Sequence, residues 1–294
     1  MRIFLVLVVL VVLGTGGVFA TLQQWSLPEP TNIVRVPGDI KRGAYLARLS
    51  GCVACHTTKE GAPLAGGVRL QSKFGTFISP NITPDLENGI GRWTFSQFER
   101  AVRQGISPLG HSYYPAFPFE FYAALSDRDI SDIWEALKSV PPSANISQNH
   151  QVGFPFNIRD GLKVWRTYFS QTYKYAPDES RSDGWNRGKY LVEGPTHCAA
   201  CHTPRNVFGG LTAQAGLAGD PQMLDGGKSP SLIASSLLQN GWTLDNLQTA
   251  LRSGITPNGD VLGGSMAEVI HGGTSYLLDE HLQDMALYLL DKDQ

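Results

Sequence analysis

Four cysteines occur in the 294 residues, and all four fall in two Cys-x-x-Cys-His motifs. These are Cys52-Val53-Ala54-Cys55-His56 and Cys198-Ala199-Ala200-Cys201-His202. The spacing is that of c-type heme attachment. Two thiols add across the two vinyl groups on one edge of a heme, and the adjacent histidine reaches the iron from the proximal side. Two motifs predict two covalently bound heme c groups, with His56 and His202 as iron ligands. Other uses of such cysteines fit less well. Half a zinc site would need its partner pair nearby, yet 143 residues separate Cys55 from Cys198, and each pair has its own histidine. A thioredoxin-like pair needs a strand-helix context that the sequence does not display. Structural disulfides suit an exported chain but leave both histidines unexplained.

The residues around each motif repeat. Arg42-Gly43-Ala44-Tyr45-Leu46 precedes the first motif, and Arg187-Gly188-Lys189-Tyr190-Leu191 precedes the second. Trp93-Thr94-Phe95 leads to Gly105, and Trp242-Thr243-Leu244 leads to Gly254, with 12 residues from tryptophan to glycine in both. Two units of similar fold follow. Each reads as short helices. The first runs over Asp39–Leu49 or Asn186–Val192 and leads into the cysteines. The second starts after Thr94 or Thr243, whose hydroxyls suit N-caps, and stops at Gly105 or Gly254. The last covers Asp127–Ser139 or Asp279–Leu290, with Ile130, Ile133, Trp134 and Leu137 on one face. No strand-like alternation of useful length is present. Gly43 with Tyr45, and Gly188 with Tyr190, suit a close crossing of first and last helices. The segment from Ser143 to Asp183, with Phe154-Pro155-Phe156, Trp165, Tyr168 and Phe169, reads as a linker that packs against the units.

The composition is 42% hydrophobic and 17% charged with net charge −2, so no imbalance points to nucleic acid. An apolar run, Ile3–Leu13, follows Arg2, and no charge appears until Glu29. It reads either as a cleaved signal peptide, with Val18-Phe19-Ala20 as the cleavage site, or as a retained membrane anchor reaching about Leu22, close to the ~20 residues that span a bilayer. Trp25 would then sit at the interface. Both readings export the rest of the chain.

From about Val36 to Leu290 the sequence resembles the cytochrome c subunits of membrane-bound bacterial alcohol, aldehyde and gluconate dehydrogenases and their two-heme relatives. The strings that carry the resemblance are Pro80-Asn81-Ile82-Thr83-Pro84-Asp85, Gly89-Ile90-Gly91-Arg92-Trp93-Thr94, Phe154-Pro155-Phe156-Asn157-Ile158-Arg159, and His197 through Asn206. The resemblance implies an all-α chain of two tandem mono-heme cytochrome c domains, at residues 36–142 and 184–294. The linker would occupy 143–183, and the signal or anchor helix 1–25. It implies a distal methionine on each heme, and it matches Pro80 and Pro230 to prolines whose carbonyls hold the proximal histidines. Dehydrogenase subunits of this type usually carry a third heme domain, and no third motif occurs here.

Met266, 12 residues after Gly254, is the expected distal ligand in the second domain; its thioether raises the heme potential. Met285 has core spacing, and Met223 is a weaker alternative ligand. In the first domain the same position falls on Phe117, within Pro115-Ala116-Phe117-Pro118, and no methionine lies between Met1 and Met223. Phenylalanine has no lone pair for iron. His111 could turn in from the same loop, the iron could stay five-coordinate behind Phe117, or His150 could reach it from the linker. Arg92 and Arg205 are candidates for the heme propionates. His197 has no evident chemical role, and His271 and His281 read as surface residues.

The expected function is single-electron transfer in an exported respiratory or dehydrogenase chain, on the periplasmic side of the bacterial inner membrane. The expected partners are a dehydrogenase and a cytochrome or terminal oxidase. The chain reads as a non-catalytic electron carrier or the electron-transfer subunit of a dehydrogenase. The alternative is a diheme redox enzyme, a peroxidase or thiosulfate dehydrogenase, working at an open first-domain heme. The thiosulfate enzymes use an additional cysteine as heme ligand, and there is no fifth cysteine here.

Overall fold

In the computed structural model, which describes residues 26–293 apart from positions 32, 171, 213 and 215, the two sequence copies build matching sets of helices. The expected signal or anchor lies outside the described residues. Among those described, no helix is long and apolar enough to cross a membrane.

The first copy begins with α1 (Ile40–Leu49), capped by the Asp39 carboxylate, which accepts from the Lys41 and Arg42 amides. A short helix, α2 (Cys52–His56), carries the first motif. Helix α3 (Phe95–Gln104) starts at a reciprocal cap between Thr94 and Gln97 and stops at Gly105, whose φ of 60° is left-handed. A single turn, α4 (Phe119–Tyr122), precedes α5 (Asp127–Ser139), which Ser126 caps. The linker contributes α6 (Gly161–Phe169).

In the second copy, α7 (Asp183–Glu193) begins three residues before the expected Asn186, because Ser182 accepts from the Trp185 amide. The second motif forms α8 (Ala199–His202). After α9 (Ala234–Gln239) comes α10 (Leu244–Ser253), which repeats the logic of α3 with Thr243, Asn246 and Gly254. Helices α11 (Gly264–Gly272) and α12 (Asp279–Leu289) end the copy.

First and last helices cross at glycine in both copies, as the sequence suggests. A Cβ on Gly43 would lie 1.8 Å from the Asp132 carbonyl oxygen, and one on Gly188 would lie 1.9 Å from that of Asp284. Beside each crossing an arginine meets the aspartate: Arg42 bonds Asp132 and Asp129, and Arg187 Nε lies 2.8 Å from Asp284. One hydrophobic core runs through both crossings, from Leu46, Ile130 and Trp134 to Leu191, Met285 and Leu290.

The repeat tyrosines do something else. Each reaches the last helix of the other copy. Tyr45 Oη lies 2.6 Å from His281 Nδ1, and Tyr190 donates to Asp129, the equivalent position in the first copy. The Leu278 amide reaches Tyr45 Oη as the Ser126 amide reaches Tyr190 Oη. Matching residues thus exchange matching contacts, the pattern of a two-fold interface. His281 is therefore half-buried and bonded, not the surface residue expected, whereas His271 is exposed.

The all-α expectation needs one correction. Three short antiparallel strands, β1 (Arg69–Ser72), β2 (Gly75–Ile78) and β3 (Gln151–Val152), form a sheet in the order β1-β2-β3. Four residues are too few for a period of two to stand out. Gly75 marks the site in retrospect: a Cβ there would lie 2.2 Å from the Gln151 carbonyl oxygen, so the linker strand can approach only glycine. The linker packs as expected. Arg166 of α6 is buried, donates to the Gln104 carbonyl at 2.5 Å and to that of Gly105 at 3.5 Å, and lies 4.5 Å from the Phe119 ring centre.

Candidate functional site

The two Cys-x-x-Cys-His segments fold as single helical turns, which bring both thiols and the following imidazole of each motif onto a compact stretch of chain. None of the four cysteines is in a disulfide. Burial pushes the Cys52 thiol up to about 12 and Cys198 up to about 11, and it raises Cys55 and Cys201 as well. Such thiols carry little thiolate at neutral pH, which disfavours a dithiol redox pair. No cluster of three or more metal-ligating side chains occurs among the described residues, which leaves the zinc reading without support.

Each histidine is held in one orientation. His56 Nδ1 lies 2.7 Å from the Pro80 carbonyl oxygen, and His202 Nδ1 lies 2.8 Å from that of Pro230. A carbonyl only accepts, so Nδ1 carries the proton and Nε2 keeps its lone pair. Burial lowers the pKa of both imidazoles and favours this neutral form. The arrangement, with the second nitrogen tied to a backbone carbonyl, is the usual setting of a metal-ligating histidine.

A matching loop builds this grip in each copy. The Gly66 amide donates to the His56 carbonyl and the Gly219 amide to that of His202, at 2.7 and 2.8 Å. Thr57 and Thr203 hydroxyls accept from Leu64 and Leu217 amides. A Cβ on Gly66 would lie 2.4 Å from the Pro80 carbonyl carbon, and one on Gly219 would lie 2.7 Å from that of Pro230. These glycines let the chain reach the proline. Sequence reasoning does not single them out, although Leu64-Ala65-Gly66 and Leu217-Ala218-Gly219 repeat there.

The distal candidates also follow equivalent turns. The Tyr113 amide donates to Gly105 and the Leu262 amide to Gly254, both at 2.8 Å. Twelve residues on from each glycine, Phe117 and Met266 are both half-buried against the common core. Met266 lies in the first turn of α11 and not in an open loop. Phe117 packs against Tyr113 and Tyr122, with ring centres 5.9 and 5.5 Å away. His111 is exposed on the turn, where the second copy has Asp260. His150 Nδ1 accepts from the Ile78 amide at 3.1 Å and its ring contacts Phe77 and Tyr114.

Among the other sequence candidates, Met285 is wholly buried in the core. Met223 is half-buried on a separate loop. Arg205 donates to the Gly209 and Ala200 carbonyls at 2.8 and 2.9 Å. Arg92 is exposed. An apolar cavity of about 500 Å³ opens between the copies, and Ala54, Cys55, His197, Ala200 and Cys201 are on its wall. Paired thiols and a fixed neutral imidazole in each copy fit a covalently attached heme. The site belongs to the class of c-type heme proteins.

Comparison with known proteins agrees. No family model matches the chain. A diheme cytochrome c-type protein of Cereibacter sphaeroides is 36% identical over 96% of this chain and 95% of its own length. The cytochrome c subunit of the quinone-dependent alcohol dehydrogenase of Gluconobacter oxydans is 41% identical over 85% of this chain. A nicotinate dehydrogenase subunit of Pseudomonas putida is 41% identical over 79% of it. The chain spans 54% and 19% of the last two, respectively. It belongs to the diheme c-type cytochromes, and its cofactors are two covalently bound heme c groups.

Proposed function

We propose that this chain passes single electrons between an exported dehydrogenase and a cytochrome or terminal oxidase, on the periplasmic side of the bacterial inner membrane. Residues 1–25 would act as its signal or anchor. Two tandem domains, 36–142 and 184–294, would hold one heme each. Cys52 and Cys55 attach the first and Cys198 and Cys201 the second. His56 and His202 are the proximal ligands through Nε2. The iron supplies the redox chemistry, cycling between ferric and ferrous; the chain supplies ligands, burial and docking surface.

The observation that carries this reading is the pair of histidines held by Pro80 and Pro230, each directly after the second thiol of its own motif. The same grip in both copies matches one heme per copy. Similarity to dehydrogenase cytochrome subunits supports the choice of donor. Mass spectrometry of the mature protein should show two heme additions, and replacing Cys198 and Cys201 together by alanine should remove one. A non-covalent heme count defeats the reading.

Met266 is the distal ligand of the second heme, and the first heme lacks a methionine. Phe117 at the matching position favours a second reading, in which an open first iron binds small ligands and the chain acts as a peroxidase-like enzyme. Mixing the reduced protein with hydrogen peroxide, and separately the oxidised protein with thiosulfate, separates the two. Rapid heme oxidation by peroxide or rapid heme reduction by thiosulfate, with turnover, supports the enzyme, and slow reaction without turnover supports the carrier.

A further inference from the structure

Gly51 and His197 occupy the same place in the repeat, each directly before the first cysteine of its motif. Both backbones are left-handed, with φ of 73° and 41°. Glycine takes this conformation freely, whereas a residue with a side chain is strained in it. Strain of this kind persists where the surroundings enforce it, and it marks sites with a role.

The surroundings of His197 come from both copies. A Cβ on Gly51 would lie 3.6 Å from His197 Cε1, so the two equivalent residues face each other across the interface. The His197 ring stands edge-to-face on Tyr122, with ring centres 5.6 Å apart and planes at 83°. Tyr122 in turn donates its hydroxyl to the Ser50 carbonyl, two residues before Cys52. Phe121 flanks the imidazole at 6.4 Å, and Nδ1 bonds the Pro195 carbonyl at 2.9 Å, which fixes the ring plane. An unbroken contact path thus runs from Ser50 through Tyr122 and His197 to Cys198.

We infer that His197 is a positioning residue that locks the two heme-attachment segments against each other, and so sets the relative orientation of the two hemes. The inference rests on the heme attachment proposed above. The asymmetry of the pair gives the mechanism. Two glycines would leave the contact empty, and a side chain at Gly51 would be strained by its left-handed backbone. One of each fills it, and the bonded, stacked ring converts a loose meeting of two loops into a fixed register. The single strained backbone is retained in the copy that supplies the ring.

Circular dichroism in the Soret region tests this, because two nearby hemes in fixed orientation split the band into lobes of opposite sign. His197→Gly removes the ring and relieves the backbone. His197→Asn also tolerates the left-handed conformation but cannot stack in the same way. Both variants are expected to keep two hemes by mass and the wild-type absorption spectrum, and to lose or invert the splitting. An unsplit band in the wild type, or splitting in both variants equal to the wild type's, overturns the inference. Fewer than two hemes in the variants alone also overturns it, since His197 would then serve attachment. Fewer than two in the wild type defeats the attachment reading, and the inference with it.

Discussion

Tyr45 hydrogen-bonds His281 at 2.6 Å across 236 positions of sequence, and the repeat partners of these residues, Tyr190 and Asp129, are bonded in the same sense in the opposite direction. The interface between the copies is therefore held at two matching points. Phenylalanine at either tyrosine keeps the ring and removes the bond. Each of Tyr45→Phe and Tyr190→Phe should lower unfolding stability by about 1 kcal/mol, the net worth of one such bond. Urea unfolding followed by circular dichroism measures this. Unchanged midpoints in both variants would show that the paired bonds contribute nothing.

The Asp132 carboxylate is fully buried beneath α1, where burial alone would raise its pKa. The Asp39 amide, Arg42 and Arg128 outweigh that and hold it below the ordinary 3.8. The folded form therefore favours the ionised carboxylate. Its contribution is complete above the unfolded value and is lost as pH falls through the lower folded value. Asp132→Asn should cost about 1–2 kcal/mol at neutral pH, because the charged hydrogen bonds from Arg42 and Arg128 are weakened while the half-exposed Arg42 keeps Asp129. The difference from wild type should shrink below about pH 4 in parallel urea titrations. A gap that does not change with pH would exclude this account.

Glycine is required at both helix crossings for lack of space. Gly43→Ala and Gly188→Ala would each drive a methyl into a backbone carbonyl on the facing helix. Forced separation of packed helices costs about 3 kcal/mol or more. Either variant should melt well below the wild type in calorimetry. A melting point within a degree or two would mean that the helices part without penalty.

Phe117 and Met266 occupy equivalent places, so the first can be converted to the second. Met266→Ala should abolish the sulfur-to-iron charge-transfer band. Phe117→Met should add a second band of the same kind and raise the lower of the two heme potentials. In low-temperature electron paramagnetic resonance, loss of a low-spin signal in His111→Ala assigns that histidine, and a high-spin signal in the wild type assigns an open iron. A band that survives Met266→Ala refutes the ligand assignment.

What is legible in the sequence follows its local chemistry. Thr94 with Gly105, and Thr243 with Gly254, mark both ends of α3 and α10, because caps act within one turn. Pro80 and Pro230 stand out through the family resemblance and hold the histidines as expected. The sheet leaves no signal, since its strands are two to four residues long and its third member comes from the linker. Tyr45 and Tyr190 read as helix-crossing residues within a copy. Their partners lie in the other copy, and no local pattern encodes a pairing between distant segments. Leu64 to Gly66 and Leu217 to Gly219 do repeat, but leucine, alanine and glycine carry no chemistry of their own, and only the approach of the proline carbonyl gives them a purpose.

Arg166 has a consequence for any attempt to rebuild this chain by recombination. Its guanidinium closes the carbonyl end of α3, so a segment outside the first copy completes a helix inside it. The boundary of an exchangeable cassette consequently does not fall where the repeat ends. A chimera joined near residue 143 would import a foreign strap and leave the Gln104 carbonyl without its guanidinium donor. One joined after α6, beyond residue 169, would carry the clasp along with the body it fastens.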